Sequence, residues 1–154
     1  MPYAVIKNAN NNIVHWALYI TQDVFGNCVK YEYDNAIIPT QSGQNANLNG
    51  GVIFHIKNIK YTGFNDADYK YEVIFNSTNS IRQDVSINAR LGVKQIEPYF
   101  LDNIIVKKVG VSESIRNYKL NLGYGKFNKG QLKSVSEFDP NAQRLSIPAL
   151  FLKL

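Results

Sequence analysis

The sequence predicts an all-β chain: an antiparallel β-sandwich of jelly-roll or Ig-like type, with roughly 8–10 short strands and little helix. Three observations predict it. Apolar residues recur with a period of two, clusters rich in Asn, Gly and Asp separate the runs, and no window of helical length carries an apolar stripe. At 154 residues the chain reads as a single domain over 1–154, large enough to bury a core without disulfides or metal.

The elements follow in order. Tyr3–Lys7 is a first strand candidate, closed by the turn NANNN at 8–12. In IVHWALYI (13–20), Val14, Trp16, Leu18 and Ile20 share one face, so Trp16 is expected in the core. His15, on the other parity, is expected at the surface or half-buried. After the turn FGN (25–27), Cys28–Tyr33 reads as a strand in which the lone Cys28 is a buried, inert thiol. PTQSGQNANLNGG (39–51) is uncharged and irregular, and is expected to be a flexible loop.

GVIFHIKN (51–58) and YKYEVIF (69–75) alternate, with TGFNDAD (62–68) as a turn between them. The cleanest alternation lies at Asp84–Leu91, where Val85, Ile87, Ala89 and Leu91 interleave with Asp84, Ser86, Asn88 and Arg90. KQIEPYFLDN (94–103) admits a short helix broken at Pro98. Asn103–Val109, Arg116–Leu122 and Leu145–Leu152 complete the strands, with Pro148 placing the last at an edge or bend. Tyr118, Leu120, Leu122 and Tyr124 share the expected core face of their strand.

The inventory for chemistry is sparse. Cys28, His15 and His55 are the only Cys and His residues, and none sits in a nucleophile-elbow or cysteine-hydrolase context, so the chain is expected not to be an enzyme. One cysteine excludes a disulfide framework and every multi-cysteine metal site. Asp66, Asp68 and Glu72 lack the glycine and oxygen spacing of a calcium loop, and Gly123-Tyr124-Gly125 lacks the remaining features of a phosphate loop. No metal and no cofactor are expected. The N-terminus shows no secretory pattern and no run spans a membrane, so the chain is expected to be cytoplasmic as made or exported by a leaderless route.

The charge of +5 is uneven: residues 1–77 hold five Lys/Arg against six Asp/Glu, and residues 78–154 hold twelve against six. YKLNLGYGKFNKGQLK (118–133) concentrates the basic groups Lys119, Lys126, Lys129 and Lys133 around Tyr124 and Phe127. Strand parity points most aromatics and lysines apart, which argues against nucleic-acid binding and leaves the turn at Gly123–Gly130 as a contact surface.

Two functional classes fit. One is a non-catalytic recognition module of lectin-like, carbohydrate-binding type, in which Gln44, Asn45, Asn47 and Asn49 supply amides and Tyr124 and Phe127 supply ring faces to a glycan or protein surface. The other is a self-assembling structural subunit of a virion, phage or secretion apparatus, a homo-oligomer joined through heterologous contacts.

Overall fold

The computed structural model describes residues 4–139 and the backbone of residues 150–151. Among the described residues there are twelve strands: β1 Val5–Lys7, β2 Ile13–Trp16, β3 Ile20–Gln22, β4 Asn27–Ile37, β5 Val52–Phe64, β6 Tyr71–Ser77, β7 Ser86–Asn88, β8 Gln95–Glu97, β9 Leu101–Lys108, β10 Ser114–Tyr124, β11 Gly130–Phe138 and β12 Leu150–Phe151. The only helical pieces among the described residues are two 3-10 turns, Gly43–Leu48 and Lys126–Asn128. The fold is therefore all-β, as the alternation predicts.

β1 and β2 make a small hairpin, and the other ten strands share one sheet. Its path runs β3-β4-β5-β6-β9-β10-β11-β12 with every neighbouring pair antiparallel, while β7 and β8 branch from the start of β5. Only β8 pairs in parallel, setting Gln95 and Ile96 beside Val52 and Ile53. The N-terminal segment reaches this sheet through a few side-chain contacts. Asn35 Nδ2 donates to Val5 O at 2.8 Å, Tyr33 Oη donates to Leu18 O at 2.9 Å, and His15 meets the Phe54 ring edge-on at 5.0 Å.

The apolar core gathers at one end of the sheet. Ile38, Leu48, Ile53 and Ile96 are buried together, flanked by Ile81, Val85 and Tyr99. The segment expected to be a flexible loop supplies its deepest member: Leu48 is only 2% exposed. Lys94 Nζ fastens the turn around it by donating to the carbonyls of Asn47 (3.1 Å) and Asn49 (2.8 Å). A 3-10 turn, a buried leucine and a side-chain clamp thus lie in a stretch whose composition gave no hint of them.

Other expectations need correction. Trp16 is not core; it stands 73% exposed because it belongs to the separate two-stranded hairpin. IVHWALYI is not one strand, because two sheets claim its parts: Ala17 N–H goes to Ala4 O, whereas Tyr19 O accepts from Tyr31 N–H. The clean alternation at 84–91 yields only Ser86–Asn88, since Asp84 is held by Arg82 and a turn closes from Gly92 N–H to Ala89 O. No helix forms at 94–103; Ile96 is buried beside Ile53 as part of β8. At the C-terminus, Leu150 and Phe151 pair with Val135 and Ser134, whereas residues 145–149 and 152 lie outside the described residues.

Leu48→Ala should lower stability by about 2–4 kcal/mol, read as an earlier urea midpoint, because truncating a buried leucine loses transfer energy and leaves a cavity.

Candidate functional site

Alternation gives each strand two faces, and the register decides which residues of neighbouring strands share one. Tyr31, Ile59, Val73 and Val106 stand across from one another on β4, β5, β6 and β9. Tyr61 opposes Tyr71 with ring centroids 5.6 Å apart, and Phe75, Ile104 and Tyr118 form a further row on this face. Not one of these apolar residues is buried. An open trough of about 740 Å³ continues the face past Val29 and Thr21 to Phe64 at the β5–β6 turn.

The opposite face is more polar, its charged and amide side chains set around Ile74 and Ile105. Glu72, 8% exposed, cannot be solvated freely. Its carboxylate accepts from Asn58 Nδ2 at 2.7 Å and lies 3.5 Å from Lys107 Nζ. Lys60 pairs with Glu32 at 2.8 Å, and Asn76 Nδ2 donates to Asn103 Oδ1 at 2.8 Å. Neighbouring strands thus pair these charged and amide groups laterally, although Asn58 Oδ1 and Asn117 Oδ1 stay buried without a hydrogen-bond partner.

The residues singled out from sequence scatter into different settings. Gln44, Asn45 and Asn47 lie in the 3-10 turn, Gln44 and Asn47 exposed and Asn45 half-buried. Asn49 is occupied internally: its Oδ1 accepts from Gln41 N–H at 2.7 Å and its Nδ2 donates to Gln41 O at 3.0 Å. Lys119 is neutralised by Asp102 at 2.6 Å, and Lys133 donates to Gln131 Oε1 at 2.6 Å. Lys126 and Lys129 remain exposed at the β10–β11 tip beside Phe127, which is 93% exposed at φ 59°.

Tyr124 is not core: at the end of β10 it is 39% exposed, its ring tilted against Phe100 at 5.8 Å. Its hydroxyl accepts from Gln83 N–H at 2.9 Å. Nearby, Arg82 grips both Asp84 oxygens at 2.7 and 2.9 Å, and Asp84 accepts from Gly130 N–H at 2.8 Å. These two donors hold the Asp84 carboxyl far below the usual carboxylate range. A Cβ at Gly130 would lie 2.4 Å from the Phe100 ring, so only glycine fits where the hairpin base meets this clamp. The tip is thereby held in place, and sequence could not reveal it because the clamp spans 46 residues.

Among the chemistry-bearing residues, Cys28 is buried, accepting from Asp66 N–H at 3.3 Å and donating to Tyr69 Oη at 3.5 Å. Among the described residues no group of three His, Cys, Asp or Glu could hold a metal ion, and no helix is long and apolar enough to cross a membrane. His55 sits between two carboxylates, with Nδ1 3.4 Å from Glu97 and Nε2 3.5 Å from Asp34. Glu97 raises its pKa most strongly, burial opposes this, and Asp34 adds to the rise.

No protein-family model matches the chain, and no curated protein matches it. Its fold does match solved structures. The crystal structure of TcdB2-TccC3-Cdc42 superposes with a TM-score of 0.77 at 13% identity, covering 99% of this chain and 9% of that one. TcdB2-TccC3 without its hypervariable C-terminal region gives 0.70 at 13% identity, again over 99% of this chain and 9% of that one. The N-terminal domain of effector protein SpvB from Salmonella typhimurium strain LT2 gives 0.69 at 11% identity, over 90% of this chain and 56% of that one. The chain thus spans about a tenth of the first two and just over half of the third; at these identities the likeness concerns the fold alone.

The ion pairs at His55 give a pH signature. The folded group binds its proton more tightly than an unfolded imidazole, so its stabilisation is complete below about pH 6.5 and is lost as pH rises through the folded pKa. The urea midpoint should therefore fall between about pH 6 and pH 8, and His55→Gln should flatten that part of the profile.

Proposed function

We propose that this chain is a non-catalytic structural module that builds into a larger protein assembly by having its apolar sheet face covered by further protein. The uncovered face carries this reading: rows of Tyr, Ile, Val and Phe cross five strands, and none of the named residues is buried. A sheet with one apolar face is stable in packed architectures because another layer lies over that face. Covering about 400 Å² of such surface is worth about 10 kcal/mol before the costs of association. The recurrence of this fold within the much longer TcdB2-TccC3 chain supports the same reading.

Of the two classes the sequence suggested, assembly is favoured over carbohydrate recognition. Asn49 and the Tyr124 hydroxyl are spent on internal bonds, which leaves Gln44, Asn45, Asn47 and Phe127 as separated groups rather than one converging site.

The isolated chain should enhance the fluorescence of an apolar-surface dye such as anilinonaphthalene sulfonate. A Val73→Lys, Val106→Lys double variant with unchanged circular dichroism should lose most of that signal. A wild-type chain that binds no dye, or a double variant that binds it equally, would contradict the reading.

A further inference from the structure

Among the described residues the outer edge of β3 has no strand partner, and its register shows which groups face that edge. Tyr31 N–H donates to Tyr19 O and Asp23 N–H to Asn27 O, so the hydrogen-bonded pairs between β3 and β4 are Tyr19–Tyr31, Thr21–Val29 and Asp23–Asn27. The backbone N–H and C=O of Ile20 and Gln22 therefore point away from β4. β3 has no other strand partner among the described residues. Thr21 and Gln22 are exposed.

Open edges are ordinarily guarded by charge, proline or a bulge. Ala17-Leu18-Tyr19-Ile20-Thr21-Gln22 contains neither a charged residue nor a proline, and the first charge beyond it, Asp23, turns its carboxylate to Phe25 N–H, Asn27 N–H and Asn27 Nδ2. Exposed apolar side chains flank it on both sides, Trp16 (73%) and Leu18 (50%) before the strand and Val24 (93%) and Phe25 (77%) after it. Leu18 and Val24 are equally spaced about Thr21.

We propose that β3 pairs antiparallel with β3 of a second copy of this chain, about a two-fold axis at Thr21. In that register Ile20 exchanges both backbone hydrogen bonds with Gln22 of the other copy, and the reverse pair follows by symmetry. The two Thr21 residues face each other as a closely spaced pair, a favourable cross-strand combination. The Trp16–Leu18 end of each copy meets the Val24–Phe25 turn of the other. Those four side chains offer on the order of 500 Å² per copy before backbone and neighbours are counted, against about 800 Å² per partner in a standard stable interface. A second copy fits better than an unrelated strand, because the same pattern supplies both halves of the contact.

This contact lies apart from the apolar face and is tested separately from it. Mass is measured by size-exclusion chromatography with light scattering across a concentration series. The wild-type chain should reach twice its 17.5 kDa mass. Gln22→Pro removes an outward N–H while leaving the bonds to β4 intact, and Val24→Lys places a charge at the turn without touching the strand. Each should weaken dimerisation at least tenfold. A wild-type chain that stays monomeric throughout would overturn the proposal, as would a dimer insensitive to Val24→Lys. So would a dimer that only Val73→Lys, Val106→Lys dissolves, because association would then run through the sheet face.

Discussion

The thirteen residues of β5 impose the constraint on which the rest of the fold depends. One side of β5 pairs with β4 from Val52 to Phe64. The other side is divided, with β8 beside Val52 and Ile53 and β6 beside Asn58 to Tyr61. Because β8 arrives in parallel, the chain after β6 must cross to the start of β5 before returning as β9. That crossing brings Ile81, Val85, Ile96 and Tyr99 over Ile53, where Ile38 and Leu48 already lie. The core therefore gathers where β5 begins. At the other end β5 carries Phe64, 55% exposed, into an open turn.

Chemistry divides the two faces as sharply as topology divides the two ends. Charged and amide side chains satisfy one another sideways, because opposed residues on adjacent strands lie within reach of a hydrogen bond. The Glu32–Lys60 and Asn58–Glu72–Lys107 contacts use that geometry. Apolar side chains gain only part of their stabilisation from lateral neighbours, since their outer surface still meets water. Tyr61 against Tyr71 and Ile59 against Val73 remain half-buried for that reason. The polar contacts of one face are made within the chain, whereas the apolar rows of the other stay half-buried.

The sequence made the fold class legible because period-two alternation is local. β6, β10 and the first half of β5 are visible from their own residues, whereas β5 runs on to Phe64 through the start of the expected 62–68 turn and β11 is not among the candidates. What depended on distant partners was not: the splitting of 13–20 between two sheets, the exposure of Trp16, and the conversion of 94–103 from a candidate helix into β8. The segment 84–91 shows the converse, since ideal alternation produced three paired residues once Arg82 and Gly130 engaged Asp84. For the candidate site, composition located the basic, aromatic turn around Phe127, which the structure places exposed at the β10–β11 tip. The rows of the apolar face require the cross-strand register, and the β3 edge requires knowing that Thr21, rather than Ile20 or Gln22, bonds to β4.

The central claim is that the apolar face lies open in the isolated chain, and hydroxyl-radical footprinting of dilute protein tests it most directly. The account predicts that Tyr61, Tyr71 and Val73 are oxidised far faster than the buried Leu48 and Ile53. If Tyr61, Tyr71 and Val73 are protected to the same degree as Leu48, the face is already covered within the chain and the account fails.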